Sequence, residues 1–113
     1  MKTIILLFGL FVSIQLTAQS TIQTSTIAVK GNCDECKERI ENSVDIKGVK
    51  DATWNEETQA ITITFDTKKV SLEQIETAIA KSGHKTANKE ADLKAYNGLP
   101  DCCKYESKHC EKK

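Results

Sequence analysis

The stretch Gly31-Asn32-Cys33-Asp34-Glu35-Cys36 joins an apolar, strand-like segment to the start of a helix. Ser25 to Val29, just before it, has residues typical of a strand, and the glycine and asparagine that follow end that strand. Beyond it, Cys36, Ile40 and Val44 recur every four residues, which predicts a helix with one buried stripe. Both cysteines therefore lie at the start of a helix, where unpaired N–H groups favour thiolate over thiol.

Outward from this stretch, the sequence alternates between strand and helix patterns. Val49 to Trp54 predicts a second strand, and Ala60 to Phe65, which alternates strictly, predicts a third strand paired with it as a hairpin. A capping box at Ser71 starts a second amphipathic helix, which ends at Gly83. The segment His84 to Ala87 is left for a closing fourth strand.

The order strand, helix, strand, strand, helix, strand predicts an α+β protein with the ferredoxin-like βαββαβ fold. We expect one domain over residues 22–89, with a four-stranded antiparallel sheet and two helices on one face. In this topology the first strand ends beside the start of the fourth, so the Cys33 loop and the Gly83-His84 turn should be neighbours. The predicted core is Ile27, Val29, Ile40, Val44, Val49, Trp54, Ile61, Ile63, Phe65, Leu72, Ile75 and Ile79.

Residues 1–19 have the pattern of a signal peptide. Lys2 gives a positive start, Ile4 to Leu16 is an apolar run short for a bilayer span, and Thr17-Ala18-Gln19 supplies a small-residue exit. We expect cleavage near Ala18 or Gln19, which leaves no membrane anchor and places the protein in an exported compartment, the bacterial periplasm. The alternative interpretation is an uncleaved anchor.

The composition and motifs of the chain argue against nucleic-acid binding and against an enzyme. The 113 residues carry 16 basic and 16 acidic side chains, and no basic stretch indicates a nucleic-acid partner. No acid–base pair, phosphate loop or nucleophile–base arrangement indicates an enzyme. Five cysteines form an odd set, so disulfides alone cannot account for all of them in an oxidising compartment.

Residues 90–113 form a cysteine-rich C-terminal tail, which we expect to be an appendage and not another packed layer. It holds Cys102, Cys103, His109 and Cys110. Three interpretations stay open: a disulfide of Cys102 or Cys103 with Cys110, a second soft-metal or zinc site built from all four residues, or a tail thiol that folds back to Cys33 and Cys36.

The chain resembles the heavy-metal-associated domain family, which includes copper chaperones, periplasmic mercury-binding proteins and modules of metal-transporting ATPases. The resemblance runs from Thr24 to Lys89 and rests on the CxxC after the first strand, Ile40-Glu41, Gly48-Val49 and the segment from Ile79 to His84. Two departures are Gly31-Asn32 where the family has GMT before its first cysteine, and two acidic residues between the cysteines.

The resemblance implies a metal carrier. Cys33 and Cys36 would be the ligands, and His84 a candidate auxiliary ligand. The implied ion is soft: Cu(I) in the first place, with Hg(II) or Zn(II) as alternatives. The implied partner is a metal-transporting ATPase, an efflux component or another thiol-bearing acceptor, and the carrier would be a monomer.

Two functions of other classes stay open. The first is a thiol–disulfide protein that cycles Cys33 and Cys36, because thioredoxin-like proteins share the CxxC spacing. Thioredoxin-like proteins characteristically have an aromatic residue before the first cysteine and a cis-proline opposite the cysteine pair. Here Asn32 precedes Cys33, and the only proline of the sequence, Pro100, lies in the tail. The second is a module that docks on a metal transporter without transferring an ion. An inert structural disulfide is the remaining interpretation.

Overall fold

The computed structural model describes residues 21–106, so the predicted signal peptide, His109 and Cys110 lie outside the described residues. Three strands, three helices and one 3-10 turn follow one another along this part of the chain. Their bounds are β1 (Ile22–Ala28), α1 (Asp34–Ser43), β2 (Val49–Asn55), β3 (Ala60–Asp66), α2 (Leu72–Lys81), α3 (Leu93–Asn97) and a 3-10 turn at Asp101–Cys103.

The sheet has the order β1-β3-β2, and both pairs are antiparallel. One face is apolar because Ile61, Ile63 and Phe65 alternate inward along β3. On the other face threonines pair across the strands, with 3.0 Å between the Oγ1 atoms of Thr24 and Thr64. The sequence therefore predicted the α+β architecture and its hairpin correctly.

The prediction of a four-stranded sheet is wrong for the described residues. In place of the fourth strand, Thr86 makes one isolated antiparallel bridge to Val29. The chain then turns at once, because the Thr86 N–H donates to the Lys89 carbonyl oxygen at 3.0 Å and the Thr86 hydroxyl accepts from the Lys89 N–H at 3.0 Å. Thr86 thus uses its polar groups in a local turn, and no ladder continues.

The core follows the predicted stripes of both long helices and the apolar sheet face. The capping box that starts α2 is confirmed, since Ser71 accepts from the Gln74 N–H at 3.1 Å and its own N–H donates to the Gln74 side chain at 2.9 Å. Of the predicted core, Val49 and Leu72 are only partly buried. The other ten are buried: Ile27, Val29, Ile40, Val44, Trp54, Ile61, Ile63, Phe65, Ile75 and Ile79.

For residues 90–106, the part of the tail that the structure describes, the expectation of an unpacked appendage is also wrong. The Asp92 N–H donates to the Ala80 carbonyl oxygen at 2.9 Å, which joins the start of α3 to the end of α2. Leu99 and Cys103 then enter the core, Cys103 with no exposed surface. Among residues 21–106, no helix is long and apolar enough to cross a membrane.

Candidate metal centre

The two cysteines of the CxxC stretch lie where the sequence predicted, at the start of α1. Cys33 is the N-cap residue of α1. Cys36, in the first turn, is completely buried, whereas Cys33 is partly exposed. Their Sγ atoms are 3.6 Å apart, and both are free thiols. The pair is therefore preformed, with one sulfur accessible and the other set into the core.

The chain that leads into Cys33 is held by hydrogen bonds on several sides. The Trp54 indole N–H donates to the Val29 carbonyl oxygen at 3.0 Å. The Gly31 N–H donates to the Gln59 side-chain oxygen at 3.0 Å. A Cβ on Gly31 would lie only 2.9 Å from the Trp54 ring, so glycine is needed for the indole to pack under the loop. These contacts fix the direction in which the cysteine loop leaves the sheet.

The tail brings a third sulfur to the pair. The Sγ of Cys103 is 3.8 Å from that of Cys33, and the sulfurs of Cys33, Cys36 and Cys103 all lie within 4.8 Å of one another. The Cys33 sulfur also lies 3.6 Å from the Cys102 carbonyl oxygen. Of the three interpretations of the tail, the described residues have the geometry of a thiol folded back on the CxxC pair.

Cys102 faces differently from Cys103. Its thiol donates to the Glu35 carboxylate at 3.2 Å. Glu35, Cys102 and Cys103 also have ligand atoms within 4.8 Å of one another, so Cys103 belongs to two overlapping groups. The proposed second site with His109 and Cys110 stays a prediction, because both residues lie outside the described range.

The four thiols differ in how readily they ionise. Burial raises the pKa of Cys33, but hydrogen bonds from the Cys36 backbone and the Cys36 and Cys102 side chains outweigh it and leave this pKa below its ordinary value. Burial raises the pKa of Cys36 and that of Cys103. The Glu35 carboxylate, as hydrogen-bond acceptor, raises the pKa of Cys102 to about 11. Among the four cysteines of residues 21–106, Cys33 is thus the thiol most readily converted to thiolate.

His84 lies in the predicted turn, but it is buried and acts on the backbone. Its Nδ1 is 2.8 Å from the Lys30 carbonyl oxygen, which only a protonated Nδ1 can satisfy, so the neutral ring carries its proton there. The buried Nε2 has no hydrogen-bond partner among the described residues. His84 is not a member of either sulfur-containing group within residues 21–106. As an auxiliary ligand it stays a prediction.

Tyr105 is a site residue that the sequence did not indicate. Its ring stacks on His84 with centroids 5.6 Å apart, and its hydroxyl donates to the Gly83 carbonyl oxygen at 3.0 Å while accepting from the Lys85 N–H at 2.9 Å. Tyr96 packs edge-on against the same ring, 5.1 Å away. An aromatic residue two positions after Cys103 was the available signal, since tyrosine commonly buries its ring and bonds its hydroxyl.

We expect acidification to destabilise the fold through His84. Burial lowers its pKa from the ordinary 6.5, the nearby charge of Arg39 lowers it further, and the hydrogen bond to Lys30 only partly opposes them. The unfolded chain therefore binds more protons, and the free energy of unfolding falls as pH drops below 6.5 toward the folded-state pKa. Urea unfolding across that interval should show a smaller pH dependence for His84→Gln. Equal pH dependence in both proteins would refute the assignment.

Comparison with known proteins agrees with this geometry. The family model of the heavy-metal-associated domain matches residues 24–85. The solved structure of the CopZ metallochaperone is 28% identical with a TM-score of 0.56, covering 57% of this chain and 100% of that one. Oxidized MerP from Ralstonia metallidurans CH34 is likewise 28% identical with a TM-score of 0.56, covering 58% of this chain and 94% of that one.

A relative among curated proteins is a zinc-transporting ATPase of Synechocystis sp. (strain ATCC 27184 / PCC 6803 / Kazusa), 34% identical over 80 residues. The match covers 69% of this chain but only 11% of the ATPase. The family match spans more than half of the chain and contains both cysteines of the CxxC stretch. The chain therefore belongs to the heavy-metal-associated domain family, with a ferredoxin-like α+β fold built on a three-stranded sheet.

Proposed function

We propose that this protein binds a soft metal ion, Cu(I) before Hg(II) or Zn(II), through Cys33 and Cys36, and carries it for transport, delivery or detoxification. The observation that supports this most directly is the pair of free thiols 3.6 Å apart at the start of α1. Two thiolates select soft ions over hard ones, and a small rotation of the partly exposed Cys33 side chain lets both sulfurs face one ion. The partly exposed Cys33 is the sulfur through which the ion enters.

The ion is the cargo, and the residues around it determine how it is held. Cys33 is the first sulfur to ionise, and the helix N-terminus stabilises the negative charge that develops there. Cys36 is fixed in the core and supplies a ligand of constant position. Metal binding releases the protons of both thiols, so affinity for the ion rises with pH.

In the proposed function the protein is an exported monomer, cleaved near Ala18 or Gln19 and free in the periplasm. The acceptor is a metal-transporting ATPase, an efflux component or another thiol-bearing protein that takes the ion by ligand exchange. Similarity to part of a zinc-transporting ATPase supports a partner of this class, and it is the reason to retain Zn(II) as a cargo. In this function the protein is a carrier and not an enzyme.

Thiol–disulfide exchange is the second candidate function, and the lowered pKa of Cys33 favours it, since a thiolate is also the attacking group in exchange. The two functions make opposite demands on oxidation. A carrier needs both thiols reduced when it takes up the ion, whereas a redox protein alternates between the dithiol and the disulfide.

We expect the Cys33→Ser/Cys36→Ser double variant to lose tight binding of one soft-metal equivalent. Loss of a group next to a metal ligand commonly weakens binding 10- to 100-fold, so loss of two ligands should exceed about 100-fold. Competition titration of the reduced protein with Cu(I), Hg(II) and Zn(II) measures this. The double variant could lose binding by misfolding, because Cys36 is buried in the core. The single variant Cys33→Ser controls for this, since Cys33 is partly exposed and its replacement leaves the core intact.

Cys102→Ser is the matched control, because its thiol lies in the same region but bonds to Glu35. Equal affinity in the double variant and the unmodified protein would overturn the proposed site. Weak binding by the unmodified protein itself would overturn the carrier function and favour thiol exchange.

A further inference from the structure

We infer that the protein binds its cargo with three sulfurs, the third being that of Cys103, so that the C-terminal tail closes the metal site. This inference rests on the proposed function and specifies the coordination of the same site. The observation behind it is that the sulfurs of Cys33, Cys36 and Cys103 lie within 4.8 Å of one another. Three thiolate ligands suit a soft d10 ion.

The position of Cys103 is built into the fold. It is completely buried, and the 3-10 turn that carries it begins after Pro100, whose carbonyl oxygen accepts from the Cys103 N–H at 2.8 Å. Leu99, four residues earlier, is 5% exposed and packs in the common core. A sulfur fixed between two packed groups approaches the CxxC pair without further ordering of the tail.

A second anchor holds the chain just after Cys103. The Tyr105 hydroxyl bridges the Gly83 carbonyl oxygen and the Lys85 N–H, and its ring stacks on His84. His84 in turn bonds to Lys30, at the entry to the cysteine loop. The tail and the cysteine loop are therefore both bonded to the turn at Gly83 and His84. Cys103 lies between the two points where the tail is attached, Leu99 in the core and Tyr105 at this turn.

Cys102 is not the third ligand, although it is adjacent in sequence. Its thiol donates to Glu35, and it is absent from the group formed with Cys33 and Cys36. Within the 3-10 turn, Cys103 is the cysteine whose sulfur lies within 4.8 Å of both sulfurs of the pair, whereas the Cys102 thiol is engaged by the Glu35 carboxylate. This difference provides a control within the same turn.

Occupation of the third position has a consequence for transfer. An acceptor thiol must enter the coordination sphere before the ion leaves, and here that place is filled by the protein's own tail. Each exchange forms one metal–sulfur bond to the acceptor and breaks one to Cys103, with the acceptor's thiol proton passing to the released sulfur or to solvent. The structure thus favours retention of the ion until the tail is displaced.

X-ray absorption spectroscopy of the Hg(II)- and Cu(I)-loaded protein tests the inference by counting sulfur neighbours. We expect three in the unmodified protein and in Cys102→Ser, and two in Cys103→Ser and Cys103→Ala, as the described group predicts. The alanine variant keeps the buried position apolar, and circular dichroism checks the fold of each variant. Ion transfer to a small dithiol chelator should be at least about tenfold faster without Cys103.

Two sulfurs in the unmodified protein, or an unchanged count in both Cys103 variants, would overturn the inference while leaving the CxxC site intact. Failure of the proposed function has a different signature, namely tight binding that survives removal of Cys33 and Cys36. Loss of the third sulfur in Cys102→Ser alone would assign it to Cys102 and refute the role of Cys103.

Discussion

Replacing Trp54 with alanine should lower the free energy of unfolding by about 3–5 kcal/mol, the range for truncating a large aromatic residue in a core. Trp54 is 1% exposed, and its ring packs under Gly31. Its indole N–H satisfies the Val29 carbonyl oxygen, which would otherwise be buried without a donor. The midpoint of urea unfolding, at unchanged slope, measures the loss.

Trp54→Phe separates the two contributions. Phenylalanine fills most of the ring volume but cannot donate to Val29, so we expect a loss of roughly 1–3 kcal/mol, typical of an unsatisfied buried acceptor with some unfilled space. The alanine variant should also react faster with thiol reagents at Cys36, because the support beneath the cysteine loop is gone. A loss below about 1 kcal/mol for Trp54→Ala would contradict the packing described here.

Gly83→Ala is expected to destabilise the fold and to release the tail. Gly83 has φ +98°, a conformation that costs a residue with a Cβ about 1–2 kcal/mol. The added Cβ would lie 2.9 Å from the Tyr96 backbone nitrogen and 3.0 Å from the Ala95 carbonyl carbon, so α3 must move away. We expect a lower unfolding midpoint and faster alkylation of the otherwise buried Cys103.

Gly98→Ala is the matched control in the same region. Gly98 has φ −84°, and a Cβ there would meet its nearest neighbours at 3.5 Å, an ordinary contact. Its unfolding midpoint and its Cys103 alkylation should stay close to those of the unmodified protein. If Gly83→Ala had the same unfolding midpoint and the same Cys103 alkylation rate as Gly98→Ala, α3 would not pack closely against the Gly83 turn as described here.

The sequence predicted the elements whose patterns are local. Strict alternation from Ala60 to Phe65 and the capping box at Ser71 each correspond to an observed strand or helix start. The CxxC pair was also predictable, because its spacing at a helix start places both thiols on one side. Such patterns depend only on residues that are neighbours along the chain, so the elements they predict are present in the folded protein.

What the sequence missed depends on contacts between distant segments. The His84 to Ala87 segment has little of its own to distinguish a strand from a turn, and the hydrogen bonds of Thr86 decide for the turn. The polar composition after Pro100 indicated an exposed tail, but Leu99 and Cys103 bind it to the core. Which of Cys102 and Cys103 faces the CxxC pair is set by one 3-10 turn, which composition does not reveal.

Attachment of the tail sets the concentration that a competing thiol must reach before it can displace Cys103 from the metal. A ligand tethered to its own site acts at an effective concentration of order millimolar even when its linker is short and flexible. The Cys103 sulfur is held more firmly than that, by Leu99 on one side and by Tyr105 on the other. A low-molecular-weight thiol would therefore have to exceed the millimolar range to displace it, whereas an acceptor protein that binds the tail itself would not.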